Sequence, residues 1–221
     1  MQIRIPTKIT PQEAIKLQMR LAPLVTETGE SLENIETVVG CDASYVGETT
    51  IAAAIAVNYD DLTVQQTKLY SKDTFFPYIP GLLSFREGPA VIRAIRALRP
   101  ASYVCVVDGH GLAHPRRFGL ACFVGLLLDN PTIGVAKSLL YGFVEADHVV
   151  DRDGSRIAEL ITLPGTGKVI FVSVGHKISL NDAVEVVQRC LTPQGPLPIK
   201  LAHEEVTKRK WEIRKSHPVS S

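Results

Sequence analysis

The segment ASYVCVVDG, residues 101–109, is the feature of this chain that most constrains its fold. Its apolar side chains follow one another without the alternation of a half-exposed strand, which is typical of a strand covered on both faces. Pro100 ends the helical pattern before it, and Asp108 closes the strand. The segment therefore predicts a central sheet with helices on both faces and a carboxylate at the end of one strand.

The elements around this strand follow from local patterns. Thr10, Pro11 and Glu13 form a capping signal that predicts a helix to about Leu24. Three β-type runs at 36–44, 50–59 and 62–72 predict consecutive antiparallel strands, and apolar spacing predicts a helix from about Arg86 to Arg99. Later segments predict a helical or mixed stretch at 118–128, a strand at 131–137, a hairpin of 156–163 with 168–174, and helices from Asn181, capped by Ser179, and near Ile199. This order predicts an α/β fold with a mixed sheet, in a single domain spanning 1–221 with a frayed tail at 216–221.

Composition excludes several classes of partner. The formal charge is only +1, so any nucleic acid must be held by a local surface. The chain shows no secretory signal and no apolar run near the ~20 residues that span a bilayer, which predicts a cytoplasmic protein without a membrane partner. Dispersed charge and the lack of heptads favour a monomer. The four cysteines are widely spaced without a CxxC pair and are interpreted as reduced core residues: Cys41, Cys105, Cys122 and Cys190.

Two aspartates interrupt apolar strands, Asp42 in VVGCDAS and Asp108 in VVDGHG. A carboxylate in an apolar strand is costly unless it is hydrogen-bonded, paired or bound to a metal. If the two strands are neighbours, Asp42 and Asp108 share one edge of the sheet, where Glu87 and His203 could join them. Carboxylate oxygens favour Mg²⁺ or Mn²⁺, and such sites typically hydrolyse phosphodiesters. Lys137, at the end of PTIGVAK, is the candidate to neutralise the phosphate oxygens.

The segment DGHGLAHPRRFG, residues 108–119, combines glycines with basic side chains. Glycine lets a backbone approach a ligand closely, and cations suit a phosphate backbone. We therefore predict that His114, Arg116 and Arg117 contact phosphates.

Each of these residues also has an ordinary structural interpretation. Asp42 can serve as a buried turn or cap acceptor, and Asp108 as an Asx turn at a strand end. Glu87 can be a charge favoured near a helix N-terminus, His203 a surface or core histidine, and Tyr78 ordinary loop packing. The residues alone leave these interpretations open beside that of a metal-dependent phosphodiesterase.

Five motifs together resemble the endonuclease V family, in order, from about residue 34 to 206: VVGCDAS, FPYIPGLLSFRE, VVDGHGLAHPRRFGLA, PTIGVAK and PIKLAH. The resemblance implies a ribonuclease H-like fold and a Mg²⁺-dependent nuclease, for which Mn²⁺ substitutes. The implied reaction is hydrolysis of the second phosphodiester bond 3′ to deoxyinosine, leaving a 3′-hydroxyl and a 5′-phosphate; some members prefer inosine in RNA.

The resemblance also implies roles residue by residue. Asp42, Glu87 and Asp108 match the metal-binding carboxylates, Lys137 matches a lysine near the scissile phosphate, and His203 matches a further position near the metal. The sequence departs from the family where Lys200 replaces a frequent arginine and where some members have Asp in place of His203. The stiff loop Pro77, Tyr78, Ile79 and Pro80 resembles the family's wedge, which enters the gap left by a flipped base.

Hypoxanthine carries an N1 donor and an O6 acceptor and lacks guanine's 2-amino group, so backbone groups could recognise it. Adenine would leave both protein groups unpaired. We expect the pocket to be lined by Gly81, Leu83, Gly111, Gly119 and Leu120, and a bulkier residue at Gly111 to reduce discrimination before it affects the metal.

Three rival functions remain open at this stage. The first is an inosine-specific endoribonuclease, and the second is a structure-selective flap or junction nuclease of the same fold. The third is a non-catalytic lesion-binding protein. The three acids argue against the last, because a pure binder has little reason to hold them beside phosphates.

Overall fold

A computed structural model describes residue 6, residues 8–28 and residues 32–216. Its five α-helices are α1 Pro11–Leu21, α2 Leu83–Leu98, α3 Leu120–Leu128, α4 Leu180–Arg189 and α5 Leu197–Ser216. Its strands are β1 Thr37–Val46, β2 Thr49–Asn58, β3 Val64–Asp73, β4 Tyr103–Asp108, β5 Thr132–Ala136, β6 Phe143–Glu145, β7 His148–Val150, β8 Arg156–Thr162, β9 Val169–His176, β10 Leu191–Thr192 and β11 Gly195–Pro196.

Nine strands form one mixed sheet in the order β3-β2-β1-β4-β5-β9-β8-β7-β6. The first three strands are antiparallel neighbours, as predicted, while β4 is parallel to both β1 and β5. The β1 and β4 pairing ends at Cys41 opposite Val107. Asp42 and Asp108 are therefore the next residues on two adjacent parallel strands.

Helices cover the central strands. The interior of β2 is buried along its whole length, and both α2 and α5 pack on it, which fits the predicted cover on both faces. The helix α3 packs on β5 and β9, and α4 packs on β9. All four cysteines are buried free thiols, as the sequence indicated.

Helix boundaries differ from the predictions at three places. The α1 capping box of Thr10 and Glu13 is present, but the α-helix ends at Leu21 and continues as a 3₁₀ turn over Ala22–Leu24. The α2 helix begins at Leu83 rather than at about Arg86, so Glu87 lies in its second turn and not at its N-terminus. The α5 helix includes Ser216, which corrects the predicted start of the frayed tail; residues 217–221 lie outside the described residues.

Within the described ranges, none of the helices combines the length and the apolar character needed to span a bilayer.

Candidate active site

Three carboxylates approach one another where β1, β4 and α2 meet. Asp42 lies on β1, Asp108 ends β4, and Glu87 faces them from α2 with only 7% of its surface exposed. Burial and the charges of Asp42 and Asp108 raise the pKa of Glu87 well above its ordinary value. Burial and the charge of Asp108 likewise raise the pKa of Asp42, although His203 and the Ala43 N–H oppose the rise. Mutual repulsion between buried acids is the electrostatic signature of this cluster.

A lysine and a histidine side chain border the acids. The Lys137 ammonium donates to Asp108 Oδ2 at 2.8 Å, and the His203 ring Nδ1 lies 2.8 Å from Asp42 Oδ2. Burial lowers the pKa of Lys137, but the Asp108 carboxylate outweighs it and the net pKa is raised. Lys137 therefore carries its positive charge at neutral pH, directly beside one of the acids.

The cluster has the chemistry of a site for a hard divalent cation. It supplies only carboxylate oxygens, and the Glu87 side chain makes no hydrogen bond with any described residue. His203 and Lys137 engage one oxygen each of Asp42 and Asp108, and the second oxygen of Asp42 accepts from the Ala43 N–H at 2.7 Å. In the described part of the chain, no three His, Cys, Asp or Glu side chains converge closely enough to enclose an ion as they stand. The donor set thus fits Mg²⁺ or Mn²⁺, and binding would require the acids to draw closer.

The repulsion makes a prediction about stability. A carboxyl whose pKa is raised by folding stabilises the protein below its unfolded pKa, and this contribution is lost as pH rises through the folded pKa. We therefore expect Glu87→Gln to raise the melting temperature in EDTA at about pH 8, by about 2–4 °C per kcal/mol relieved, with little change at about pH 5. Thermal unfolding at the two pH values measures this. Glu48→Gln changes an exposed glutamate on the β1–β2 turn and is the matched control. The repulsion would be contradicted if, at about pH 8, Glu87→Gln lowered the melting temperature or raised it no more than Glu48→Gln does.

A cavity of about 310 Å³ opens beside the acids. Asp108 and Lys137 line it, so the cavity and the carboxylate cluster share residues. A larger open groove of about 780 Å³ on the outer side of α2 contains none of the three acids. The other lining residues of the smaller cavity are Tyr78, Ile79, Pro80, Gly81, Leu83, Ser84, Gly109, His110, His114, Gly119, Leu120, Ala136, Ser138, Leu139 and Leu140.

Four of the five predicted pocket residues line this cavity: Gly81, Leu83, Gly119 and Leu120. Gly111 does not. It is buried beneath the cavity, its N–H donates to Ser173 Oγ, and a Cβ built on it would lie 2.0 Å from the Val174 carbonyl oxygen. A bulkier residue at Gly111 would displace the β9 backbone. Such a substitution would therefore disturb the fold, and it cannot test discrimination between bases separately.

The loop before α2 exposes aromatic side chains and ends in a fixed turn. Tyr78 is 66% exposed and Phe75 is 77% exposed, whereas Phe76 packs inside against Phe85. Gly81 has φ +79, a left-handed conformation that favours glycine. The loop is therefore attached firmly at its base and presents its tip to solvent.

Three side chains converge on the Gly81 carbonyl oxygen. It accepts from Gln18 Nε2 at 3.0 Å, His114 Nε2 at 2.9 Å and Arg116 Nη2 at 2.7 Å. Gln18 is fully buried, and its own carbonyl oxygen accepts from Arg116 Nε at 2.6 Å. This network joins α1, the DGHG segment and the loop before α2, and it fixes one wall of the cavity.

The three residues predicted to contact phosphates, His114, Arg116 and Arg117, are bonded to other parts of the protein. His114 is only 2% exposed and Arg116 is held by Gln18 and Gly81, so these two residues support the cavity wall. Arg117 pairs with Glu27 at 2.8 Å and with Asp151 at 3.2 Å. For His114 the prediction is wrong, because a buried neutral ring cannot reach a phosphate backbone. The sequence places these residues near glycines, and this gives no signal of their partners, which lie far away along the chain.

The His114 ring must remain neutral to hold this wall. Its Nδ1 accepts from the Arg116 N–H at 3.1 Å, which leaves Nε2–H to donate to Gly81. Burial, reinforced by the Arg116 charge, lowers the pKa of His114 from 6.5 to about 4. A histidine with a lowered folded pKa costs stability as pH falls from about 6.5 to about 4, by up to about 3 kcal/mol.

We accordingly expect His114→Gln to lose less stability than wild type between about pH 6.5 and pH 4. Denaturant unfolding at a series of pH values measures the two slopes. His148→Gln changes a partly exposed ring outside this wall, bonded to Asp147, and controls for the general effect of removing an imidazole. Parallel slopes for wild type and His114→Gln would exclude a buried neutral His114.

A mixed sheet with acids at neighbouring positions on two adjacent parallel strands, a third acid on the covering helix and a cavity beside them defines a ribonuclease H-like nuclease. Known structures agree with this class. Endonuclease V from Streptomyces avermitilis superposes with a TM-score of 0.85 at 32% identity, covering 96% of this chain and 99% of that one. Endonuclease V from Ciona intestinalis, in complex with a 23mer DNA containing an inosine followed by a ribo-adenosine, superposes with a TM-score of 0.83 at 28% identity, covering 93% of this chain and 100% of that one.

Sequence comparison gives the family. Residues 19–204 match the Endonuclease V family. Endonuclease V of Methanothrix thermoacetophila is 40% identical over 204 residues, 88% of this chain and 90% of that protein. The chain belongs to the endonuclease V family, and its fold is the ribonuclease H-like fold that the resemblance implied.

Proposed function

We propose that this chain is a divalent-metal-dependent endonuclease that cuts a nucleic-acid strand at inosine. The proposed reaction hydrolyses the second phosphodiester bond 3′ to the inosine and leaves a 3′-hydroxyl and a 5′-phosphate. One observation carries the proposal. Asp108 belongs to the acidic cluster and Lys137 is bonded to it, and both side chains also line the cavity. A base held in the cavity thereby brings its own strand to the acids.

The metal ligands of this proposal are Asp42, Glu87 and Asp108, with Mg²⁺ as the resident ion and Mn²⁺ as a substitute. When bound, such an ion stabilises charge on the phosphate and lowers the pKa of a water nucleophile. The chain itself contributes position and charge. Lys137, which carries its charge beside Asp108, is suited to neutralise a non-bridging phosphate oxygen. His203 orients the Asp42 carboxylate by its 2.8 Å contact.

Recognition of the base is assigned to the cavity. The backbone N–H of Leu120, the first residue of α3, has no hydrogen-bonding partner among the described residues, as expected for the first turn of a helix. It is a suitable donor for O6 of hypoxanthine. Adenine has an amino group at that position. Two hydrogen-bond donors, the Leu120 N–H and the adenine amino group, would then face each other without an acceptor. Gly119 and Leu83 line the same cavity, and we assign to them the exclusion of guanine's 2-amino group.

The wedge of Pro77, Tyr78, Ile79 and Pro80 supplies the flipping step. The exposed Tyr78 ring can stack in the gap left by the extruded base, which offsets part of the few kcal/mol of unstacking. The two prolines and the fixed Gly81 carbonyl limit the entropy that the loop loses on insertion.

We propose DNA as the main substrate; the strand bound to the Ciona relative is DNA in which a ribo-adenosine follows the inosine. The inosine-specific endoribonuclease remains the second candidate, because nothing in the cavity contacts distinguishes a 2′-hydroxyl. The test is cleavage of matched DNA and RNA strands, each with one inosine, beside unmodified strands and an inosine-free junction. Faster cutting of the inosine DNA supports the proposal, and faster cutting of RNA moves the function to inosine-RNA turnover. Cutting of the junction would indicate a structure-selective nuclease, and tight binding without cutting a lesion-binding protein.

A further inference from the structure

The closing helix α5 carries basic side chains in line with the acidic cluster. At about 100° per residue, His203, Lys210 and Arg214 fall within about 40° of one another on one side of α5. We call these three residues the α5 basic stripe. The nearby acids are turned away or paired: Glu212 with Arg209 and Glu204 with Lys200.

Contacts with β1 fix the stripe beside the acids. His203 lies against Asp42, and the Lys210 ammonium donates to Ser44 Oγ at 3.1 Å. Ser44 is two residues beyond Asp42 on β1, about 6.8 Å along the strand and on the same face. Lys210 therefore stands next to the cluster, beyond Asp42 along β1.

The outer end of the stripe is open to solvent. Arg214 is exposed and has no hydrogen bond or ion pair with any residue that the structure describes. Beside it, Trp211 is 62% exposed, with the Lys215 ammonium 4.8 Å from its ring centroid. Cations interleaved with an exposed aromatic ring are suited to a nucleic-acid strand.

The sheet order gives the stripe a direction. The cavity borders β4 and β5, the acids lie between β4 and β1, and α5 packs on β1 and β2. A strand with its inosine base in the cavity and its scissile phosphate at the acids continues towards α5. Since the proposed cut is 3′ to the inosine, the part that reaches α5 is the strand 3′ of the cut.

We propose that Lys210 and Arg214, with Trp211 beside them, form a binding surface for the phosphate backbone 3′ of the scissile bond. This inference rests on the proposed function for the polarity of the strand. It assigns to the closing helix a role in holding the downstream product end, separate from metal binding and base recognition.

The test measures affinity in EDTA, so that no strand is cut. The inosine strand of a labelled duplex extends either about ten or about one nucleotide beyond the cut, while the complementary strand keeps its length. For the longer strand, the double variant Lys210→Ala, Arg214→Ala should bind about tenfold more weakly, and the slope of log Kd against log salt should fall by about 2. For the shorter strand, wild type and variant should bind alike.

Two controls separate this from a general loss of charge or fold. Lys208→Ala removes a cation from another side of α5, about 140° from His203, and should bind like wild type. Lys210→Arg with Arg214→Lys keeps both charges and should restore binding to the longer strand. The inference would be overturned if the double variant lost the same affinity for both strands or lost none for either. It would also be overturned if the loss of affinity disappeared on shortening the strand on the 5′ side of the inosine instead of the 3′ side. Failure of the proposed function appears separately, as wild-type protein with Mg²⁺ that leaves inosine strands uncut.

Discussion

Asp108→Ala should lower the rate of inosine-directed cutting by about a thousandfold or more, because a lost metal ligand removes several kcal/mol of transition-state stabilisation. The same change leaves Lys137 without its 2.8 Å partner, so the ammonium loses its fixed position beside the cavity. The measurement is the single-turnover rate at saturating enzyme with Mg²⁺.

Folding must be separated from chemistry in this test. Burial is the main cause of the raised pKa of Glu87 and Asp42, and the charge of Asp108 adds to it, so Asp108→Ala reduces both shifts and should melt no lower than wild type in EDTA. Asp153→Ala, an exposed aspartate in the β7–β8 turn, should keep full activity. An active, well-folded Asp108→Ala protein would exclude this aspartate from the metal site.

Tyr78→Ala should reduce kcat/KM on duplex substrate by about 10–100-fold, because base-to-aromatic stacking contributes about 1–3 kcal/mol. The side chain is 66% exposed, lines the cavity and makes no hydrogen bond with any residue that the structure describes, so melting should change little. The loss should shrink on an inosine already placed in an unpaired bubble, where less unstacking is required.

Phe75 provides a matched aromatic for this experiment. It is 77% exposed on the same loop but does not line the cavity. If the wedge consists of Tyr78 and its neighbours, Phe75→Ala should retain most of the activity on the duplex. Equal losses for both variants would mean that the loop needs exposed aromatic surface in general, and an unaffected Tyr78→Ala would exclude the wedge.

The arrangement of the acidic cluster was largely predictable from sequence. A continuous apolar run predicted the buried strand, and the two aspartates at equivalent strand positions predicted neighbouring carboxylates, as the β1 and β4 register confirms. Local signals also gave the α1 capping box and the Ser179 cap of α4. The caps were predictable because capping depends on residues that are close in sequence. The pairing of β1 with β4 was predictable because a simple topology places the strand that follows α2 beside the first strand.

The surroundings of the cavity were not predictable in the same way. Gln18 lies 63 residues from Gly81 and gives no sequence signal for reaching it. His114 and Arg116 were interpreted by their charge, whereas burial and long-range hydrogen bonds decide their contacts. The start of α2 was missed because Leu82 offers no polar cap, and the short β6–β7 hairpin was missed because its strands have only three residues each. Lys210 lies among acidic and basic residues that carry no motif, and only its position against Ser44 distinguishes it.

The central claim is that the acidic cluster and the cavity act together on one strand. The most direct measurement maps the cut on an end-labelled DNA strand with one inosine, incubated with wild-type protein and Mg²⁺. The account predicts a single product cut at the second phosphodiester bond 3′ to the inosine, carrying a 3′-hydroxyl, and none from the unmodified strand. Cutting that is independent of inosine, or on its 5′ side, would contradict it.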